Sequence, residues 1–280
     1  MALPPKIFDR ALIARHLKRR PAERDDFVTR LVLDDLEQRL ATVTRSFRQA
    51  LILSPDGEGL PDGGVSASGP FAFERAATVT GELDPEALTL PRTGYDLIVS
   101  LFDVQVVNDV PGFLVRLRAH LAADGLFLAA IVGGDSLNEL REAFLKADTM
   151  LSGGAYARVA PFIPLQDVGG LLQRAGFALP VADVETHTVR YGTPLRLMSE
   201  LKALGASNPL AERPGRMVTK GLVAAASAAY EGIAADPDGK VRATLELVWM
   251  SGWAPHENQQ KPLKPGSAEI SLTKVLGKPS

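Results

Sequence analysis

Two largely apolar runs constrain this chain more than any other feature: YDLIVSLF (Tyr95–Phe102) and GLFLAAIVGG (Gly125–Gly134). Each is too short to cross a bilayer and too continuously apolar for a strand with one wet face. Such a strand is stable only with helices packed on both sides of its sheet, so the runs point to central parallel strands of an α/β fold. The segment between them agrees, because Pro111–Leu121 has a helical pattern with Pro111 suited to a first turn. Upstream, Phe27–Val43 reads as an amphipathic helix, Gln49–Leu53 as a short buried strand and Phe71–Arg75 as a second strand. Residues 54–70, SPDGEGLPDGGVSASGP, are too rich in Gly and Pro for a regular helix. Downstream, helices are expected at about 136–150, 165–175 (closed by Gly176), 193–205 and 215–233. Thr244–Trp253 and Ala268–Leu276 then alternate like two late strands, which predicts an antiparallel edge on the sheet.

Composition narrows the function classes. Lys+Arg 31 against Asp+Glu 33 leaves a net charge of -2, without the basic footprint of a nucleic-acid binder. The absence of cysteine excludes disulfides, thiolate metal sites and a Cys nucleophile, and points to a reducing cytoplasm. No apolar stretch is long enough to span a membrane, and residues 1–20 lack the apolar core of a secretory signal. The basic arm Lys6, Arg10, Arg15, Lys18, Arg19 and Arg20 is either a solvated helix end or a docking element for a protein or anionic surface. None of His16, His120, His187 and His256 sits in an H-x-[DE] pair, so no metal site is expected.

GGDSLNELR (Gly133–Arg141), APF (Ala160–Phe162), DVGGLLQRAGF (Asp167–Phe177), LMSELKALGASN (Leu197–Asn208) and GWAPHENQQKP (Gly252–Pro262) follow one another in order, together with YDLIVS and VNDVPG (Val107–Gly112). Over roughly residues 6–276 the chain resembles the methyltransferase-like assembly factors of respiratory complex I. Members of that family hydroxylate an arginine of a complex I subunit and are related to the malonyl-carrier-protein methyltransferase of biotin synthesis. The resemblance implies a seven-stranded, Rossmann-like class I S-adenosylmethionine methyltransferase sheet with an antiparallel last strand. It also implies an N-terminal helical arm over 1–48, then a methyltransferase-like domain over 49–280 with a helical insertion within about 136–235.

In such folds a Gly-rich turn after the first strand, an acid at the end of the second and the loop after the fourth hold S-adenosylmethionine. Here Ile52 stands at the family's strand acid and Ser54 at its first glycine, Pro55 removes an N–H, and Gly57 and Gly59 remain. LPDGGVSASGP replaces the helix that should follow. Gln105 and Val106 replace a His-Trp pair, while Asn108 and Asp109 are kept. The cofactor candidates are therefore Ser54, Gly57, Gly59, Leu101 and, as the ribose acid, Glu74, with binding of the cofactor expected to be poor. Gly133–Asp135 is either a ligand-binding strand end or a tight turn with Asp135 or Ser136 capping a helix. His256 is either functional or a loop residue beside Trp253.

Asp135 and His256 are the catalytic candidates, expected to converge with Arg141 and Trp253 on one rim suited to a basic peptide. The functional expectation is a non-catalytic assembly or regulatory relative in the cytoplasm or at the periphery of the inner membrane. Its partner would be a complex I subunit or a paralogue with an intact loop. The alternative is an active methyltransferase or arginine hydroxylase.

Overall fold

Two helices precede the sheet in a computed structural model that describes residues 6–213, 215 and 218–260. Helix α1 (Arg10–Lys18) starts where the Asp9 carboxylate accepts the Leu12 N–H, and α2 (Phe27–Thr42) starts where Asp26 accepts that of Thr29. After them come β1 (Ala50–Ser54), the hairpin of β2 (Gly63–Ser66) and β3 (Gly69–Ala77), and β4 (Tyr95–Leu101). The chain continues through α3 (Val110–His120), β5 (Leu121–Val132), α4 (Asn138–Ser152) and α5 (Leu165–Arg174). It ends with β6 (Ala178–Tyr191), α6 (Pro194–Ala203), α7 (Lys220–Ala234) and β7 (Val241–Trp253). Pro111 does sit in the first turn of α3, and Gly176, with φ +82°, ends α5.

The strands form one sheet in the order β2-β3-β1-β4-β5-β7-β6. The central strands β3, β1, β4 and β5 are parallel, while β7 runs antiparallel to both β5 and β6. This is the seven-stranded, Rossmann-like sheet with an antiparallel late strand that the sequence led one to expect.

Side chains alternate between the two faces with the period of a strand. Leu51, Leu53, Ile98 and Phe127 pack under α3 and α5, whereas Ile52, Leu97, Val99 and Leu128 pack under α2. Among the described helices, α2 alone supplies that second face. Where a helix would follow β1, the chain makes the β2–β3 hairpin instead, so one helical layer is thin. Beyond the point where β5 stops, β6 and β7 continue as a pair, from Thr186↔Glu246 to Tyr191↔Val241. This extension overhangs the carboxyl edge of the sheet and carries α4, α6 and α7 through Leu140, Leu197, Tyr230, Val241 and Ala243.

The segment 136–235, expected as a helical insertion, thus also contains a long strand. β6 escapes a reading by pattern because it is an edge strand, ALPVADVETHTVRY, whose inward positions are only half-buried and include Pro180 and His187. The strand expected at 268–276 lies outside the described residues. Among the described residues no helix is long and apolar enough to cross a membrane.

Gly252 shows how tightly β7 is fitted. A Cβ there would lie 2.8 Å from Phe177 Cβ, at the turn whose ring stacks on Phe127 with centroids 5.0 Å apart. Gly252→Ala is expected to lower unfolding stability by about 1–3 kcal/mol, as overpacking does. Urea denaturation measures it, and an unchanged midpoint would show that the Gly in GWAPHENQ is not there for packing.

Candidate functional site

β1 ends at buried Ser54, and the turn after it folds onto itself. Ser54 Oγ accepts the Gly57 N–H at 2.9 Å, and the Asp56 carboxylate accepts that of Glu58 at 3.2 Å. Pro55 has no N–H to offer. Gly57 and Gly59 adopt φ of +71° and +70°, left-handed positions that suit glycine. The two acids of this turn meet the basic arm. Arg20, with a side chain only 8% exposed, contacts Asp56 and donates to Glu58 at 3.0 Å, and Arg24 donates to Glu58 at 2.8 Å. Hydrogen bonds from Arg20 and then Arg24 hold the Glu58 carboxyl below its ordinary pKa.

Arg10 and the start of the arm's backbone are anchored as well. Arg10 donates to Thr78 O at 2.7 Å and Asp84 at 2.6 Å, and Asn108 Oδ1 accepts the N–H groups of Ile7 and Phe8 at 2.7 and 2.8 Å. Arg10 and Arg20 thus belong to the fold, whereas Lys6, Arg15, Lys18 and Arg19 are exposed, as at a solvated helix end. Asp109 accepts the Gly112 N–H at the start of α3, so the VND motif serves as a clasp and a cap.

Between the arm, the carboxyl ends of β1, β4 and β5, and the overhanging helices lies a cavity of about 780 Å³. Ser54 and Leu101 line it, with Phe102, Gln105, Val132 and Ser136. Glu74 does not. It pairs in register with Leu51, toward the amino end of the sheet, where it accepts a hydrogen bond from Tyr95 Oη at 3.0 Å. The carboxyl end of β3 is Ala77, followed by Thr78, so no acid stands where the ribose acid was expected.

GGDSLNELR is bound to β7. Ser136 Oγ accepts the Glu246 N–H at 2.8 Å, the Glu246 carboxylate accepts the Asp135 N–H at 3.0 Å, and Glu139 accepts the Thr244 hydroxyl at 2.6 Å. A Cβ on Gly133 would fall 2.4 Å from the Glu246 carboxylate, which explains a glycine at that point. Neither Asp135 nor Ser136 caps α4, which begins after left-handed Leu137 without a side-chain cap. Asp135 itself is exposed and does not line the cavity.

The expected convergence of Asp135 and Arg141 with Trp253 and His256 is not what the sheet builds. β7 is antiparallel to β5, with Val132 opposite Leu247 and Leu126 opposite Trp253. Following β7 toward His256 therefore leads away from Asp135, by roughly 20 Å over six strand steps. Exposed His256 closes its own turn, its Nδ1 accepting the Asn258 N–H at 3.2 Å. Trp253 lies under the Arg45 guanidinium, 5.5 Å from the ring centroid.

One carboxyl at this edge escaped a reading of the sequence, where it is only an acid after an apolar run. Asp103, fully buried beyond β4, accepts hydrogen bonds from the hydroxyls of Thr78 and, at 2.8 Å, Ser100. No cation pairs with it among the described residues. Burial pushes its pKa up to about 7, against the two hydroxyl donors that pull it down. The folded chain then holds a proton that the unfolded chain loses near the ordinary carboxylate value. The stabilisation is full below about pH 4 and disappears as pH rises through about 7. Asp103→Asn should remove this dependence, worth up to about 1.4 kcal/mol per pH unit within the window. Urea denaturation from pH 5 to 8 tests it: parallel curves for the two proteins would refute the assignment.

No protein-family model matches the chain. The curated proteins include a mitochondrial arginine-hydroxylase NDUFAF5 of Danio rerio, 35% identical over 189 residues, or 68% of this chain and 59% of that protein. This chain therefore spans less than two thirds of that relative. A malonyl-[acyl-carrier protein] O-methyltransferase of Methylovorus sp. is 30% identical over 256 residues, 88% of this chain and 83% of the other. Among solved structures, the YcgJ protein of Bacillus subtilis is similar with a TM-score of 0.47 at 14% identity, over 81% of this chain and 99% of that one. The chain belongs to the methyltransferase-like family that joins the NDUFAF5 arginine-hydroxylases to the malonyl-[acyl-carrier protein] O-methyltransferases, on the class I S-adenosylmethionine methyltransferase sheet.

Proposed function

We propose that this chain is a non-catalytic member of its family, an assembly or regulatory protein that keeps the fold and has given up S-adenosylmethionine. The observation that carries the reading is the closed turn after β1. Its N–H groups at Gly57 and Glu58 are consumed within the turn, and Asp56 and Glu58 are consumed by Arg20 and Arg24. No helix follows to aim free N–H groups at a ligand, and the end of β3 has no acid for a ribose. The residues present do not fit the cofactor. Its reactive sulfonium has no place in any step assigned to this chain.

By its resemblance to the complex I assembly factors, the chain acts on a protein: a complex I subunit, or a paralogue with an intact Gly-rich turn. Isothermal titration with S-adenosylmethionine and its demethylated product should give no heat of specific binding. Several lost hydrogen bonds, each worth about 0.5–1.5 kcal/mol, are enough to move a micromolar cofactor out of range. A micromolar dissociation constant would overturn the reading.

One observation favours a second reading, an active family-type enzyme: the cavity at the carboxyl edge, the usual ligand position in an open α/β sheet, is still present. Mass spectrometry of complex I peptides from a deletion strain separates the two. An arginine modification that disappears with the gene and returns with the intact chain would favour the enzyme. Unchanged peptides are expected.

A further inference from the structure

The cavity that the closed β1 turn leaves behind has a chemistry of its own. At about 780 Å³ it is of the size that holds small organic ligands. Most of its lining is apolar, as at Leu101, Phe102, Leu140 and Phe144. The two arginines of its wall are paired within the protein, and its carboxylates at Asp26 and Glu200 each accept a hydrogen bond. Arg20 faces Asp56 and Glu58, and Arg158 donates to fully buried Asp148 at 2.6 and 2.7 Å. Asp26 accepts the Thr29 N–H, and Glu200 accepts the Tyr191 hydroxyl at 2.7 Å. Lys202 is exposed, at the rim. Away from Glu200 and the rim Lys202, an ionic ligand would shed its water against an apolar wall, which is costly.

One polar group is oriented by the fold and still has capacity. Gln105 Oε1 accepts the Val132 N–H at 2.7 Å. That bond fixes which end of the carboxamide is oxygen, and it leaves the NH2 as a donor. No hydrogen bond from that NH2 is made among the described residues. Gln105 is half-buried and lines the cavity, so this NH2 is a donor that a ligand's acceptor oxygen can meet.

We infer that the cavity binds an uncharged, predominantly apolar small molecule through a carbonyl or ether oxygen that accepts a hydrogen bond from Gln105. This deepens the reading of a chain without S-adenosylmethionine, on which it rests. The reaction class is binding, with no bond made or broken.

The probe is 6-propionyl-2-(dimethylamino)naphthalene, an uncharged aromatic ketone whose emission shifts to the blue in apolar surroundings, titrated into the full chain. A saturable, one-to-one blue shift is expected. It should be reversed by 2-undecanone and not by decanoate or decylamine at the same concentration. Gln105→Glu keeps the acceptor for Val132 and removes the donor, and Gln105→Met removes the donor without adding charge. Each should weaken the ketone probe about three- to tenfold, the worth of one hydrogen bond, and change binding of N-phenyl-1-naphthylamine, which has no carbonyl, less than about twofold. Melting curves establish that both variants are folded.

Absence of saturable binding, displacement by decanoate as strong as by the ketone, or equal losses for the two probes would each overturn the inference. The cofactor arm keeps the two ideas apart. Displacement of the probe by S-adenosylmethionine would sink both, whereas a chain that binds neither compound would sink only this one.

Discussion

The Arg20 guanidinium, buried against Asp56 and Glu58, is the interaction on which the rest of the carboxyl edge depends. It ties the arm to the first strand of the sheet across a sequence gap of more than thirty residues. A buried ion pair of this sort contributes little net stability against a hydrophobic alternative, but losing one partner strands the other charge. Its consequence is geometric. With the turn drawn onto the arm, α1 sits over the strand ends, and Ile13 and Leu17 become part of the cavity wall. The same contact takes up the polar groups of the turn that a nucleotide-like ligand would need.

The long matched motifs divide into two kinds of work, neither of which needs a substrate to explain it. GGDSLNELR is a buckle between β5 and β7, closed by Ser136, Glu139 and Glu246, and its first glycine leaves room for a carboxylate. VND fastens the arm through Asn108 and starts α3 through Asp109. GWAPHENQ leaves the sheet at the opposite end, where Gly252 admits Phe177 and Gln259 donates to Asp124 at 2.8 Å. A family can share such segments because they hold the sheet together, while the chemistry at the strand ends changes independently.

The cavity is the other side of that division. Its arginines are paired within the wall and most of its surface is apolar, so what it can hold is set more by desolvation than by attraction. Asp103 belongs to the same economy of groups: a carboxyl removed from water beside β4 keeps its proton near neutrality and acts as a hydrogen-bonded strut between Thr78 and Ser100.

The sequence by itself determined the layers. The largely apolar runs at 95–102 and 125–134 read as strands buried on both faces, and Pro111, Gly176 and the 3.6-residue stripe of α2 set helix ends and faces through local backbone chemistry. It also gave grounds, in Pro55 and the lack of a helical pattern after β1, for expecting poor cofactor binding. It did not show β6, whose half-buried face mixes Pro180 and His187 with apolar residues and is interrupted in the middle. Nor did it show that Asp135 and His256 stand at opposite ends of β5, or that Glu74 faces Tyr95 instead of the cavity. Those depend on strand direction and register, which long-range pairing fixes and local sequence does not. The same holds for Arg20, Asp103 and Gln105. Each is an ordinary polar residue in the chain, and its environment exists only after distant segments have closed around it.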